Sequence, residues 1–346
     1  MSHTPNPGSS ASSDPVQHDR PESADTGSVI HTRDPIVIPR GEAYPDLRVP
    51  PRPPRWKWPI LLFLATCATT FYRGAETFQW QIVQNPETHQ WQEIASKTHY
   101  YQDGIIYSVC VMAILLAHEM GHYLQTRRYG VEASPPLFIP MPISPFGTMG
   151  AVILQRGSNA DRKQMFDIAI SGPLAGLVVA VPLAIWGILN SPIHPYMSSP
   201  HDTKIRIPLI LDWMLHWLRE QPPPGYSFYF SPQLFAGWVG FFITALNLLP
   251  IGQLDGGHIL YCLTPQRGPR LSRMIYSFLL AVVIFGTLLF DSRLMAWSVI
   301  LGLLWYMGVE HPPTADDSVR LGPVRFFLGC LTLAFVLIGF TPIPFG

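Results

Sequence analysis

The sequence HEMGH, His118 to His122, closes an almost unbroken apolar run, Ile105 to Ala117 (IIYSVCVMAILLA), and this juxtaposition restricts the fold more than any other feature of the chain. Such a run predicts a helix at membrane depth. Ionisable groups at the edge of hydrocarbon are costly unless partnered, so they mark function rather than packing. On a helix, His118 and His122 project from one face one turn apart, with Glu119 beside them. Two imidazoles at that spacing suit a zinc ion, and a neighbouring glutamate is placed to serve as a base towards whatever the ion binds.

Composition points the same way. Of 346 residues, 48% are hydrophobic and only 13% charged, against about 25% charged in soluble domains. Lys and Arg balance Asp and Glu at 23 each, which leaves no basic surface for nucleic acid. The partners to expect are the lipid bilayer and proteins anchored in it, and no feature sets an oligomeric state. Cys67, Cys110, Cys262 and Cys330 lie in apolar stretches without Cys-x-x-Cys spacing, and read as small packed hydrophobes.

The fold class expected is an all-α multi-pass membrane protein with about seven transmembrane helices. Residues 1–55, rich in Ser, Pro, Asp and His, read as a disordered cytoplasmic tail and linker ahead of a membrane domain, 56–346. No basic start followed by a short apolar segment lies near Met1, so the first span is expected to act as an uncleaved signal. Spans are predicted at 59–72, 104–124, 165–189, 234–252, 273–290, 294–309 and 323–341; the first is short for a bilayer that needs about 20 residues. The core that carries the motifs is about 104–263, with additional C-terminal spans over 273–341. With the N-terminus inside, 17 of the 23 Lys and Arg residues fall on the cytoplasmic side and 6 outside, which favours that orientation in a plasma or inner cell membrane.

Between these spans, Pro135 to Leu154 is apolar but broken by five prolines and two glycines, so it cannot be a regular helix. It reads either as a re-entrant loop or β-hairpin lining the site, or as a loop lying in the headgroups. In the first reading an extended edge near Gly147 and Gly150 can hold an unwound substrate as an added strand. Gly172 and Gly176, in SGPLAG, form a small-xxx-small face for close helix packing. Ile207 to Leu218 is an apolar patch too short to span.

A catalytic zinc usually takes three protein ligands and leaves a position for water. The acids near membrane depth are Asp103, Asp167, Asp291 and Asp255; the last, in NLLPIGQLDGGHI, follows helix-breaking Pro250 and Gly252 and is the best placed third ligand. Asp255 can also be read as a helix cap, and His258 as an interfacial histidine or a group behind the ligands. One zinc per chain held by His118, His122 and Asp255, with Glu119 as general base, would hydrolyse peptide bonds.

HEMGH, FGTMGAV, SGPLAG and NLLPIGQLDGG stand in order over residues 105–263, and together they resemble the site-2 protease family of intramembrane zinc metalloproteases. The resemblance implies a helical membrane core, zinc, and cleavage of membrane-anchored substrates near the cytosolic face. It assigns His118, His122 and Asp255 as ligands, Glu119 as the catalytic glutamate, and Asn247 as an aid to substrate binding. The FGTMGAV region is most similar to the branch with chloroplast and many bacterial members. The 191–233 loop is too short for the PDZ domain that many bacterial members carry. Two other readings are a prenyl-protein endopeptidase, which would want a glutamate as third ligand, and a transporter or metal-binding scaffold, which would need no general base.

Overall fold

Where apolar runs are long, the backbone has only itself to hydrogen-bond to, and helices result. The structure, a computed structural model, describes residues 56–85, 88, 90–154, 160–195 and 205–344. The expected N-terminal tail 1–55 lies outside the described residues. The helices are α1 (Lys57–Phe78), α2 (Lys97–Arg128), α3 (Arg162–Asn190), α4 (Leu209–Leu218), α5 (Pro232–Asn247), α6 (Asp255–Leu263), α7 (Gly268–Leu289), α8 (Trp297–Met307), entered through a 3-10 turn at Ser292–Ala296, and α9 (Pro323–Gly339). Three antiparallel strand pairs join them: β1 (Trp80–Gln84) with β2 (Trp91–Ala95), β3 (Leu137–Pro140) with β4 (Thr148–Val152), and β5 (Ile193–Pro195) with β6 (Tyr226–Phe228).

Helices α2, α3 and α7 are long and apolar enough to cross a membrane. At the other predicted span positions α5, α8 and α9 are shorter, with 16, 11 and 17 residues. Helix α1 runs past the predicted 59–72 to 22 residues; an Arg73–Glu76 pair one turn apart lets its polar end stay helical. The apolar patch expected at 207–218 is the short helix α4, with Trp217 90% exposed.

Local chemistry sets the helix starts. Asp161 accepts the Lys163 and Gln164 N–H groups at 2.8 Å each while the Gln164 side chain accepts the Asp161 N–H at 3.1 Å, a capping box that opens α3. Ser231 caps α5 just before Pro232, whose missing N–H costs nothing in a first turn. The broken 135–154 segment forms the β3–β4 hairpin, with Leu137 opposite Val152 and a register shift before Pro140 meets Thr148. Gly147 sits at φ +79°, and a Cβ there would lie 2.6 Å from the Thr69 carbonyl oxygen, so this glycine lets the hairpin touch the α1 backbone. Phe138 packs edge-on to Phe63 of α1, and the Tyr107 hydroxyl of α2 donates to the Phe146 carbonyl at 3.0 Å.

The core lies among α1, α2, α3 and α5, around the fully buried Tyr107, Phe166, Trp238 and Phe241. Small residues allow the approach: a Cβ on Gly187 of α3 would sit 2.4 Å from the Leu234 nitrogen of α5, and one on Gly237 would be 2.8 Å from Ala184. Because the first obstacle is backbone, Gly187→Ala is expected to cost about 1–3 kcal/mol, read as a lower midpoint of thermal unfolding in detergent. An unchanged midpoint would show that α3 and α5 can separate freely at that level.

Candidate metal centre

HEMGH lies in the C-terminal half of α2, and both histidines face α3. The approach is close because α2 presents Gly121, where a Cβ would stand 2.5 Å from the Ser171 carbonyl oxygen. Across from it, α3 presents Gly172 and Gly176. A Cβ on Gly172 would fall 2.0 Å from His122 Nε2, and one on Gly176 would be 3.2 Å from His118 Nδ1. The SGPLAG glycines are therefore a cradle for the two imidazoles as well as a packing face. Their spacing of four repeats the spacing of the histidines, in the opposite direction, as two antiparallel helices require.

The second half of the centre comes from the chain after α5. That helix ends at Asn247, the turn through Pro250 and Gly252 reverses direction, and α6 starts at Asp255. A Cβ on Gly256 would lie 2.0 Å from the Leu248 carbonyl oxygen, so only glycine lets α6 fold back so tightly. Asp255 is the first residue of α6, whose N-cap position is held by Leu254. Its Oδ2 lies 3.2 Å from His118 Nε2 and 3.2 Å from His122 Nε2, and the two nitrogens are 3.3 Å apart. The Asn247 amide nitrogen is 3.3 Å from His118 Nε2.

These distances fit a metal. Donors at about 2.0–2.1 Å from a tetrahedral ion of zinc's size stand about 3.3–3.4 Å from one another. The ring orientation agrees as well: His122 Nδ1 is 2.8 Å from the Ile168 carbonyl, which can only accept, so Nδ1 carries a proton and the neutral ring offers the lone pair of Nε2 to a metal. A lone pair and a carboxylate oxygen 3.2 Å apart need a positive charge between them. His118, His122 and Asp255 are the one group of this kind among the described residues.

The other acids that competed for the third position are engaged elsewhere. Asp167 pairs with Arg325 and accepts from Tyr129, Asp103 meets His99, and Asp291 meets Arg293. Glu119 is 5% exposed and, among the described residues, has no Lys or Arg ion pair. A buried carboxylate beside three metal donors can exchange a proton with anything the metal holds. His258 is half-buried, and its Nδ1 faces Nε2 of buried His311, a contact the sequence offers no local pattern to find. Gly150 is open, and Gly147 faces α1.

Residues 106–290 match the family model of peptidase family M50. The chain belongs to peptidase family M50, the site-2 protease family. Among curated proteins, this M50 chain is 36% identical over 160 residues to the "Probable zinc metalloprotease EGY1, chloroplastic" of Oryza sativa subsp. japonica, covering 43% of the chain and 26% of that protein. It is 23% identical over 313 residues to the "Probable zinc metalloprotease EGY2, chloroplastic" of Arabidopsis thaliana, covering 88% of the chain and 53% of that protein. The EGY2 protein of Oryza sativa subsp. indica is 26% identical over 252 residues, with 70% and 44% covered. The chain thus spans between about a quarter and about half of the length of these relatives. The M50 segment contains both halves of the metal centre, and the chain beyond residue 290 lies outside it.

Proposed function

We propose that the chain is a zinc metalloendopeptidase that cuts membrane-anchored proteins within or near their transmembrane segments. The observation that carries this reading is the triangle of His118 Nε2, His122 Nε2 and Asp255 Oδ2, with sides of 3.2, 3.2 and 3.3 Å, beside buried Glu119. His118, His122 and Asp255 would hold the ion. A zinc ion held there would lower the pKa of a water molecule and polarise a peptide carbonyl. Glu119 takes the proton of the attacking water onto its carboxylate and delivers it to the amide nitrogen as the C–N bond breaks. Asn247, next to His118, would hydrogen-bond the substrate chain.

A transmembrane substrate arrives as a helix with its carbonyls already bonded, and it must be unwound before attack. Among the described residues strand β4 has one strand neighbour, β3, so its other edge can accept an extended segment. In this arrangement Gly147 seats the hairpin on α1, and Gly150, with no atom near its Cβ position, leaves one face of β4 clear. The chain would cross the bilayer seven times, at α1, α2, α3, α5, α7, α8 and α9, with a cytoplasmic N-terminus, as the distribution of Lys and Arg favours. Both halves of the metal centre are then at cytoplasmic ends of their helices.

Purified full chain is expected to hold one zinc per chain and to cleave a single-pass membrane reporter. Chelation should stop cleavage and added zinc should restore it. Cleavage that survives complete removal of zinc would overturn the reading. A zinc-loaded chain that cleaves none of a panel of single-pass proteins would favour a binding scaffold instead.

A further inference from the structure

The segment that matches the family ends at residue 290, yet the chain beyond it ties the two halves of the metal centre together. On the Asp255 side, the Val309 carbonyl accepts from the Gly252 N–H at 2.9 Å and from the Ser272 hydroxyl at 2.6 Å. His311 meets His258, one turn after Asp255, and stacks on Tyr261 with ring centroids 4.5 Å apart. The Tyr261 hydroxyl donates to Asp317 at 2.6 Å. Burial raises the pKa of Asp317, but the hydrogen bonds from Thr314 and Tyr261 outweigh it and hold the carboxyl below its usual range, so it stays an ionised acceptor.

On the histidine side, the same stretch reaches α3. The Arg162 N–H donates to the Asp316 carbonyl at 3.1 Å, and the Ala315 N–H donates to the Ala160 carbonyl at 3.0 Å. Arg325 grips Asp167 with two hydrogen bonds, at 2.7 and 3.0 Å. Asp167 immediately precedes Ile168, whose carbonyl orients His122. One short stretch thus touches the neighbour of the group that aims His122 and the residue one turn from Asp255.

We propose that residues 307–325 are a brace that sets the separation of Asp255 from the two histidines, with His311 and Arg325 as positioning residues. The need for it is physical. Helix α6 has nine residues and no side-chain cap, too few to hold its own direction. A metal centre requires its donors within about 0.5 Å of the working geometry. The brace supplies the rigidity that α6 lacks, and it rests on the metalloprotease reading above.

The test uses the full chain in lipid nanodiscs, with zinc ion alone as the probe. Zinc affinity is measured by competition with a chromogenic chelator, and kcat and KM are measured on a single-pass reporter. His311→Ala and Arg325→Ala are each expected to weaken zinc binding about 10–100-fold, and to lower kcat with KM unchanged. Arg325→Lys should recover part of both. Arg273→Ala breaks an exposed pair between α7 and Glu310, in the same stretch but with neither side chain buried, and is expected to leave all three values as in wild type.

Wild-type zinc affinity and kcat in both alanine variants would overturn the brace, and so would an equal loss in Arg273→Ala. If an alanine variant fails to fold, Arg325→Lys and His311→Gln carry the test: intermediate zinc affinity is expected, and wild-type affinity overturns the proposal. A wild-type chain that holds no zinc would overturn the metalloprotease reading and the brace with it. Zinc-loaded, active wild type with unaffected variants would overturn the brace alone.

Discussion

Glu119→Gln is expected to abolish peptide cleavage, by about 1,000-fold or more in kcat, while one zinc remains bound per chain. Glutamine keeps the volume and polarity of the buried side chain but cannot take up a proton. The Glu119 carboxylate is not one of the three donor atoms that converge, so the ion has no reason to leave. Metal content and single-turnover cleavage of a membrane reporter, measured on the same preparation, separate the two effects. A variant that loses zinc yet cleaves would overturn the zinc mechanism, and one that keeps more than about a tenth of wild-type kcat would remove Glu119 as the base.

Gly172→Ala is expected to be nearly as damaging, through the opposite property. The added methyl would sit 2.0 Å from His122 Nε2, so the ring has to swing away or α3 has to retreat from α2. Retreat would open the close packing of Gly121 on the Ser171 carbonyl and stretch the bond from His122 Nδ1 to the Ile168 carbonyl. Displacing a ligand rather than merely loosening it should cost zinc affinity about 100-fold or more. Gly176→Ala, with its methyl 3.2 Å from His118 Nδ1, needs only a small adjustment and should be much milder. Chelator competition on the two variants gives the ranking. Equal zinc affinity in both would mean that the cradle does not shape the centre.

Much of this centre was legible because its signals are local. His118, Glu119 and His122 form a pattern within one helical turn, and the apolar run before them fixes the helix they share. Asp255 was legible by elimination, since few acids lie at membrane depth and this one follows the helix-breaking Pro250 and Gly252. The break at 135–154 was legible from its prolines and glycines, although sequence could not tell a hairpin from a headgroup loop. The role of the SGPLAG glycines was half visible. Their spacing of four announces a close helix partner, but not that the partner presents imidazoles rather than backbone.

His258 and the residues around His311 were illegible for a different reason. His258 and His311 are 53 positions apart, and neither sits in a periodic pattern that would point to the other. The Arg325–Asp167 pair is separated by 158 positions and links a helix beyond the family segment to one within it. Sequence by itself determined the chemistry of the donors and the helices that carry them, because side-chain identity and short-range periodicity are properties of adjacent residues. Only the tertiary structure decided that three donor atoms, 137 positions apart at their widest, stand at the mutual spacing of ligands around a single ion. That distance is set by how closely glycine-bearing helices pack and how sharply the chain turns into α6, and neither is written in any single stretch of residues.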